Sequence, residues 1–270
     1  EKDSWGYFNP SGPTMPDLMS KAGYHTGMVG KWHLGFKSPN IPNDRGFDFF
    51  HGFLADMMDD YWTHLRGGVN WMRRNKEEVK PKGHATEVFT RWGIDYVKEQ
   101  SADKKKPFFL YLAYNAVHSP LQGADAYMKQ FAHIEDIQRR IFAAMLAHMD
   151  DSVGAVLAEL YKHGLEKNTL VIFLSDNGGP TRELTSSNAP LRDGKSSVYE
   201  GGLRVPFMMQ WPGTLPAGEI YRQPIVSLDL FATAAAIAQA QLKRRIDGVN
   251  LMPYLTGKKT GEPHTSLYWR

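Results

Sequence analysis

The chain has 270 residues, of which 42% are hydrophobic and 23% are charged, so it can bury a sizeable core and does not have the composition of a disordered protein. Its net charge of +3 suits an anionic small substrate but is far from the dense basic surface of a nucleic-acid-binding protein, so we expect no nucleic-acid partner. Cysteine is absent, which excludes disulfides, thiolate metal ligands and a cysteine nucleophile within the chain.

The first part of the chain predicts a helix, a strand and a long irregular segment. Thr14 and Asp17 form a capping-box-like helix start, and a strand over 25–29 then leads into Gly-Lys-Trp-His-Leu-Gly at 30–35. The segment 41–82 is rich in glycine, aspartate and tryptophan and has no firm hydrophobic period, so we predict that it is irregular.

Helices and strands alternate through the rest of the chain. The predicted elements are a helix over 85–99, a strand over 108–114, a helix over 134–163, strands over 169–174 and 205–211, and a helix that begins at Ser227. The strand over 108–114 is continuously apolar, which predicts burial on both of its faces. This alternation predicts one domain with an α/β fold, built on a mostly parallel sheet with helices on both faces. No apolar run is long enough to predict a membrane span, so we expect no membrane partner.

Polar residues follow three of these strands at the point where each strand ends. Because ligands of open α/β sheets bind beyond the carboxyl ends of the strands, these residues are candidates for one site. Taken alone, each has a simpler explanation: a histidine after a strand is usually a loop residue, and Asp-Asn-Gly-Gly is a turn signal. Their convergence on one edge favours a site, and its candidate members are Lys31, His33, Asn115, His118, Asp176 and Asn177.

The residue types also suit one kind of chemistry. The carboxylate of Asp176 and the amide oxygen of Asn177 are hard ligands that favour Ca²⁺ or Mg²⁺ over zinc. Lysines and histidines beside such a cation would neutralise a tetrahedral oxyanion and transfer protons. Lys195, in Leu-Arg-Asp-Gly-Lys-Ser-Ser, is a second lysine for this role beside Lys31.

The sequence at 23–35, Gly-Tyr-His-Thr-Gly-Met-Val-Gly-Lys-Trp-His-Leu-Gly, resembles the second signature of the sulfatase family, an arylsulfatase-like branch of the alkaline-phosphatase superfamily. Six later segments are similar to the rest of that family's core. They are His-Ser-Pro at 118–120, Ser-Asp-Asn-Gly-Gly at 175–179, Gly-Lys at 194–195, Glu-Gly-Gly-Leu-Arg-Val-Pro at 200–206, and the segments 247–251 and 254–257. The resemblance covers nearly the whole chain. It implies an alkaline-phosphatase-like fold and a sulfuric ester hydrolase.

The resemblance implies a role for each matched residue in turnover. Lys31 and Lys195 would bind the sulfate oxygens, and His118 would bind sulfate and protonate the leaving alcohol. His33 would contact the nucleophile and act as the base that expels sulfate.

The resemblance also implies a metal ion and a special nucleophile. Asp176 and Asn177 would be two of the ligands of Ca²⁺, or of Mg²⁺. Family members place two further metal-binding aspartates upstream, followed by a Cys/Ser-x-Pro/Ala-x-Arg motif whose Cys or Ser becomes formylglycine. Ser11 is the nearest serine, but Met15 stands where the arginine is required, so we reject it.

Residues 1–270 are therefore interpreted as a partial sulfatase catalytic domain, truncated at both ends, without the formylglycine motif or the C-terminal subdomain. We expect these 270 residues by themselves to be inactive for lack of the nucleophile. Periplasmic, extracellular or lysosomal localisation is implied by the resemblance. Four aspartates outside the motifs are interpreted as solvated rather than as replacement ligands, and they are Asp59, Asp60, Asp150 and Asp151.

Two alternative functions remain open. A phosphate or phosphonate ester hydrolase of the same superfamily is the first, although such relatives usually need two metals and show Asp-His in place of Asp176-Asn177. A non-catalytic, anion-binding pseudoenzyme is the second. The expected partner is a small sulfate ester, either a sulfated glycan or an aryl sulfate. Residues of the irregular segment that suit a sulfated sugar are Trp62, His64, Arg66, Trp71, Arg73 and Arg74.

Overall fold

The computed structural model describes residues 12–103, 105–182, 184–242 and 245–269, so Ser11, the rejected nucleophile candidate, lies outside them. The helices are α1 (Met15–Lys21), α2 (Ala85–Ala102), α3 (Asp125–Gln130), α4 (Ile137–Lys162), α5 (Glu200–Leu203), α6 (Leu228–Ile237) and α7 (Met252–Leu255). The strands are β1 (His25–Lys31), β2 (Phe49–Phe53), β3 (Leu65–Arg66), β4 (Val69–Asn70), β5 (Met72–Arg74), β6 (Glu77–Glu78), β7 (Phe108–Ala113), β8 (Val171–Leu174) and β9 (Phe207–Gln210).

Five strands form the main sheet in the order β6-β5-β2-β1-β7. β1 pairs in parallel with β2 and β7, whereas β5 is antiparallel to β2, and β6 is antiparallel to β5. Within the described residues, β3 and β4 form a separate antiparallel ladder, and β8 and β9 form another. The predicted α/β class is confirmed, with a main sheet of mixed direction.

Helices cover both faces of the main sheet because β1 is apolar on both sides. Val29 is fully buried in a cluster that includes Trp92 of α2, whereas its neighbour Met28 is buried in a second cluster on the opposite face. Thr26 lies on the face of Met28 and donates to the carbonyl oxygen of Gly46, which lies against α1. α4 packs along α2, and α3 packs along α4. The site therefore rests on a sheet that is supported from both sides.

Three predictions about individual segments are corrected by the structure. The segment 41–82 is not irregular throughout, because it contains β2 to β6. β7 is not buried on both faces: Tyr111 is 50% exposed, since β7 is the last strand in the described sheet. In the part of the chain that the structure describes, β8 pairs antiparallel with β9 and not with a strand of the main sheet.

α4 is a 26-residue helix that is long and apolar enough, by length and composition alone, to cross a membrane. This corrects the expectation that the chain contains no such run. The helix packs against α2 and α3, and the exposed Asp150 and Asp151 interrupt its apolar surface. These features are typical of an amphipathic helix in a globular domain.

His51 of β2 gives the stability of the fold a predictable pH dependence. Its ring stacks on Trp92 with the centroids 3.4 Å apart, and burial, reinforced by Arg74 and Arg91, lowers its pKa to about 3. The folded state therefore favours neutral imidazole. This contribution to stability is fully present above the unfolded pKa of about 6.5 and is lost as the pH falls from there toward about 3.

Between pH 7 and pH 5, we expect the free energy of unfolding of the wild type to fall by about 2 kcal/mol more than that of a His51→Phe variant. Urea denaturation of both proteins at the two pH values measures the difference. Parallel pH profiles for the two proteins would contradict the assignment.

Candidate active site

The end of β1 is held by close contacts between backbone atoms. Gly30 has a φ of +107°, and a Cβ there would lie 1.9 Å from the carbonyl oxygen of Ala113 in β7. On the other side, a Cβ at Gly52 of β2 would lie 2.0 Å from the oxygen of Gly30. Because glycine lacks a Cβ, the three strands can approach this closely. Lys31, the last residue of β1, is thereby presented at their carboxyl edge.

His33 lies just past β1, along the continuation of β2. The amides of Trp32 and His33 donate to the carbonyl oxygens of Phe53 and Leu54 at 2.9 and 3.1 Å, which extends the parallel ladder. The indole of Trp32 anchors the following loop by donating to the carbonyl oxygen of Asn40 at 2.8 Å. His33 has a φ of +64°, a left-handed conformation that is uncommon for residues other than glycine and that clusters at functional sites.

His118 lies in the loop after β7, where its backbone and its ring are both held. Its amide donates to the carbonyl oxygen of Asn115 at 2.8 Å, and its own carbonyl oxygen accepts from the buried hydroxyl of Tyr61 at 2.9 Å. Ring atom Nδ1 lies 2.8 Å from the carbonyl oxygen of Ser119, which can only accept, so Nδ1 carries the proton. The other ring nitrogen, Nε2, lies 3.3 Å from Nζ of Lys195.

Lys195 is placed by a junction where glycines allow backbone segments to touch. A Cβ at Gly178 would lie 1.7 Å from the carbonyl oxygen of Gly201, and one at Gly194 would lie 2.2 Å from the oxygen of Gly179. The amide of Lys195 donates to that same Gly179 oxygen at 3.2 Å. The junction therefore ties the Lys195 loop to the loop after β8.

Asn188 strengthens this junction with its side-chain amide. Its Oδ1 accepts from the amide of Gly179 at 3.0 Å, and its Nδ2 donates to the carbonyl oxygens of Gly179 and Asp193, each at 2.9 Å. A pocket of about 310 Å³ borders the junction and is lined by residues between 181 and 193, including Asn188 and Asp193.

The charges of the predicted site residues act on one another, so the structure brings them together. Burial lowers the pKa of Lys31 most strongly. The negative charge of Asp176 raises this pKa, and the positive charge of Lys195 lowers it. Burial also lowers the pKa of His118 and of His33, and the charges of Lys31 and Lys195 lower both further. Without a bound anion, both histidines are thus displaced toward their neutral forms.

Asp176 and Asn177 follow β8 and offer oxygen atoms suited to a hard cation. The amide nitrogen of Asn177 donates to the carbonyl oxygen of Gly178 at 2.9 Å, which leaves Oδ1 as the amide atom for a cation. Asp176 is exposed. Within the described residues, no group of three or more histidine, aspartate or glutamate side chains is arranged to hold a metal ion. The two donors fit Ca²⁺ or Mg²⁺ in type.

We expect the 270-residue chain by itself to bind Ca²⁺ weakly, with a Kd above about 10⁻⁴ M, because Asp176 and Asn177 supply only two of the roughly 6–8 oxygen ligands that this ion takes. Isothermal titration calorimetry measures the affinity, and Asp176→Asn should remove the residual heat. Submicromolar binding would contradict the prediction and would direct attention to Asp59 and Asp150 as ligands.

The four aspartates outside the motifs have other partners or face solvent. Both oxygens of Asp59 accept hydrogen bonds, one of them from Arg66, and Asp60 accepts from backbone amides and from a glutamine side chain. Asp150 and Asp151 are exposed on α4. Hydrogen bonds thus occupy Asp59 and Asp60, whereas Asp150 and Asp151 lie on the solvated surface of the helix.

Four of the six residues proposed from sequence to contact a sugar divide into two groups. Trp62 and Arg66 remain accessible, with 47% of Trp62 and 37% of the Arg66 side chain exposed. His64 is buried and hydrogen-bonded to a carbonyl oxygen, and Trp71 packs on a phenylalanine ring with the centroids 4.5 Å apart. A pocket of about 360 Å³ lies in this part of the chain, between residues 63 and 81.

Sequence reasoning missed three residues that surround the site: Asp56, Tyr61 and Asn188. Asp56 follows β2, and recognising the phenylalanine-rich run Phe49–Phe53 as a strand would have marked it as a further strand-end residue. Tyr61 acts through its contact with His118, 57 residues away, for which no local sequence signal exists.

Fold and site together define an α/β protein in which the carboxyl edge of the main sheet and the loops after β8 supply two lysines, two histidines and acidic side chains, a set suited to a small tetrahedral anion. The family model for sulfatases matches residues 6–240, and the chain belongs to the sulfatase family.

Relatives and solved structures agree with this family. The chain is 33% identical to the uncharacterized sulfatase YdeN of Escherichia coli (strain K12), over 94% of the chain and 49% of the relative. It is 34% identical to N-acetylgalactosamine-6-sulfatase of Mus musculus, over 92% of the chain and 50% of the relative. The crystal structure of Ps i-CgsB in complex with k-i-k-neocarrahexaose superposes with a TM-score of 0.86 at 36% identity, over 93% of the chain and 58% of that structure. The chain thus spans about half the length of the curated relatives it matches.

Proposed function

We propose that the intact protein hydrolyses sulfate esters, and that the cleft built by Lys31, His33, His118 and Lys195 binds the sulfate group. The contact that carries this proposal is the 3.3 Å distance between Lys195 Nζ and His118 Nε2. The positive charge of Lys31 also acts on His118 and lowers its pKa. The contact between Lys195 and His118 supports an arrangement in which a proton-transfer group and two ammonium groups surround the bound sulfate.

The two lysines supply the charge that attracts the anion. Lys195 lowers the pKa of Lys31 after the larger effect of burial, so the pair carries unfavourable repulsion when no anion lies between them. The oxygens of a sulfate ester would accept from both ammonium groups and relieve this repulsion. Positive groups arranged in advance stabilise developing negative charge without reorganisation.

His118 is suited to protonate the leaving alcohol. Its Nδ1–H donates to Ser119, which orients the ring and leaves Nε2 as the atom that exchanges a proton with a ligand. In the free protein, burial and the two lysines keep its pKa low. The negative charge of a bound sulfate ester would oppose the lysines and favour the protonated ring that a general acid requires.

His33 lies at the same edge and is suited to remove a proton during release of sulfate. The formylglycine expected in the family would supply the attacking oxygen, and a Ca²⁺ held partly by Asp176 and Asn177 would supply further positive charge. We propose that this nucleophile comes from outside these 270 residues in the intact protein.

The proposed substrate is a sulfated glycan rather than a simple aryl sulfate. Two similar proteins support this choice by name, one as an N-acetylgalactosamine-6-sulfatase and one by its complex with a neocarrahexaose. The accessible Trp62 offers an aromatic face on which a sugar ring can pack. A periplasmic, extracellular or lysosomal location, where such glycans occur, is part of the same proposal.

The test is sulfate release by the purified full-length protein from a 4-nitrophenyl sulfate and from sulfated galactosides, with the matching phosphate esters as controls. Sulfate esters should react and phosphate esters should not. Faster hydrolysis of the phosphate esters would overturn the proposal in favour of a phosphatase. Under the same conditions, with Ca²⁺ added, the 270-residue chain alone should release no sulfate, because covalent catalysis needs an activated nucleophile.

A further inference from the structure

Asp56 lies at the same edge of the sheet as His33. The backbone ladder continues from His33 to Leu54, with 3.1 Å between amide and carbonyl oxygen, and Asp56 follows two residues later. Burial has the largest effect on Lys31 and His33 and lowers the pKa of both. The negative charge of Asp56 raises the pKa of each. This carboxylate therefore borders the cleft that binds the sulfate group.

Arg66 holds this carboxylate in a fork. Its Nε and Nη2 donate to the two oxygens of Asp56 at 3.0 and 3.2 Å, while Nη1 donates to Asp59 at 2.9 Å. Arg66 is carried by the β3–β4 hairpin, whose turn residues Gly67 and Gly68 have φ values of +56° and +75°. Positive φ at both central positions is typical of the tight type I′ turn. The pair is therefore held on a short hairpin rather than on a loose loop.

Both partners retain hydrogen-bonding capacity. A guanidinium group has five N–H donors, of which the two carboxylates engage three, and each carboxylate oxygen can accept more than one bond. The side chains of Asp56 and Arg66 are 29% and 37% exposed. A sugar hydroxyl both donates and accepts, so an accessible carboxylate beside a guanidinium is complementary to it.

The local charge decides against a second anion at this position. Arg66 contributes one positive charge, and Asp56 and Asp59 contribute two negative charges, so the group as a whole carries one negative charge. A second sulfate would be repelled here, whereas Lys31 and Lys195 attract the first.

We propose that Asp56 and Arg66 form a subsite that binds a free sugar hydroxyl next to the scissile sulfate ester and rejects a sugar that is sulfated at that neighbouring position. This inference rests on the proposed hydrolysis of sulfate esters and adds to it the class of sugar that is accepted. Asp56 is here a specificity-determining residue, in contact with the part of the sugar that does not react.

The experiment compares substrates in the full-length protein. Galactoside 4-sulfate and 6-sulfate are assayed first, and the better of the two is compared with its analogue in which the adjacent hydroxyl, at C3 or C4 respectively, is replaced by hydrogen. The wild type should prefer the hydroxylated substrate by at least about ten-fold in kcat/KM, since a site built to hydrogen-bond a hydroxyl rejects the analogue that lacks it. A disulfated galactoside that carries a second sulfate in place of that adjacent hydroxyl should react at least about ten-fold more slowly than the monosulfated one.

In Asp56→Asn, both preferences should fall to within about three-fold, because the amide neither repels sulfate nor accepts as strongly as a carboxylate. Asp44→Asn is the matched control, since it removes an aspartate that pairs with Lys76 at 3.2 Å and precedes β2, whereas Asp56 follows that strand. This control should keep both wild-type preferences.

Each alternative outcome has a distinct meaning. A wild type that hydrolyses sulfated galactosides without either preference overturns the subsite and leaves the proposed function standing, and this measurement needs no variant to fold. Retention of both preferences in Asp56→Asn also overturns it and makes the ion pair a purely structural clamp for the hairpin. A wild type that releases sulfate from none of the esters, the 4-nitrophenyl sulfate included, overturns the proposed function and the subsite with it.

Discussion

Replacing His118 with alanine in the full-length protein is expected to lower kcat for a sulfated sugar by about 10²–10⁴-fold, the usual contribution of a general acid. The reason is the leaving group: a sugar alkoxide is strongly basic and needs a proton as it departs. For a 4-nitrophenyl sulfate, whose leaving group is far less basic, the loss should be smaller. Steady-state kinetics with the two substrates measures this difference.

The control for this prediction is His133→Ala, which removes an exposed histidine in the turn after α3. That variant should behave as the wild type with both substrates. Equal losses for the sugar sulfate and the 4-nitrophenyl sulfate in His118→Ala would contradict a role in protonation. They would indicate that His118 acts mainly by binding the sulfate group.

Substituting Gly178 with alanine is expected to destabilise the protein by about 1–3 kcal/mol or more, the cost of forcing an extra methyl group into a packed site. The new Cβ would lie 1.7 Å from the carbonyl oxygen of Gly201, a backbone atom that cannot move without displacing its segment. Because the Lys195 loop is tied to the same junction, kcat/KM should fall together with stability. Thermal unfolding and sulfate release measure the two effects.

Gly154→Ala is the matched control for the glycine junction. Gly154 lies inside α4 and is exposed, and a Cβ added there would have no heavy atom within 4 Å outside its own helix turn. Alanine at this position should stabilise the helix by about 0.5–1 kcal/mol, because glycine loses more conformational entropy on folding. If both alanine variants were equally stable, the close approach at Gly178 would not limit the fold.

Local sequence signals were enough to predict the elements that depend on residues close together in the chain. The capping box at the start of α1 is present, with Thr14 Oγ1 accepting from the amide of Asp17 and the Asp17 carboxylate accepting from the amide of Thr14. The alternation of apolar strands and amphipathic helices likewise predicted the α/β class. The rule that ligands bind at the carboxyl ends of strands was enough to predict that Lys31 and His118 share one edge.

The remaining features depend on contacts between distant parts of the chain. β2 was not predicted because Phe49–Phe53 contains a histidine and a glycine and shows no clean alternation. The exposure of Tyr111 depends on the position of β7 in the sheet, which composition does not encode. Asp56 is a candidate only because β2 runs beside β1, and its pairing with Arg66 depends on the hairpin.

The hydrogen bond from Tyr61 to the carbonyl oxygen of His118 has a consequence for making chimeras between relatives. Tyr61 belongs to the segment that we expect to recognise the sugar, and its own amide donates to the side chain of Gln122, beyond His118. Transplanting the segment 41–82 from another sulfatase would therefore also change the support of the proton donor. Gln122 lies outside the transplanted segment. We expect such chimeras to combine a new substrate preference with a full turnover rate only when the position of Gln122 is exchanged together with the segment that carries the position of Tyr61.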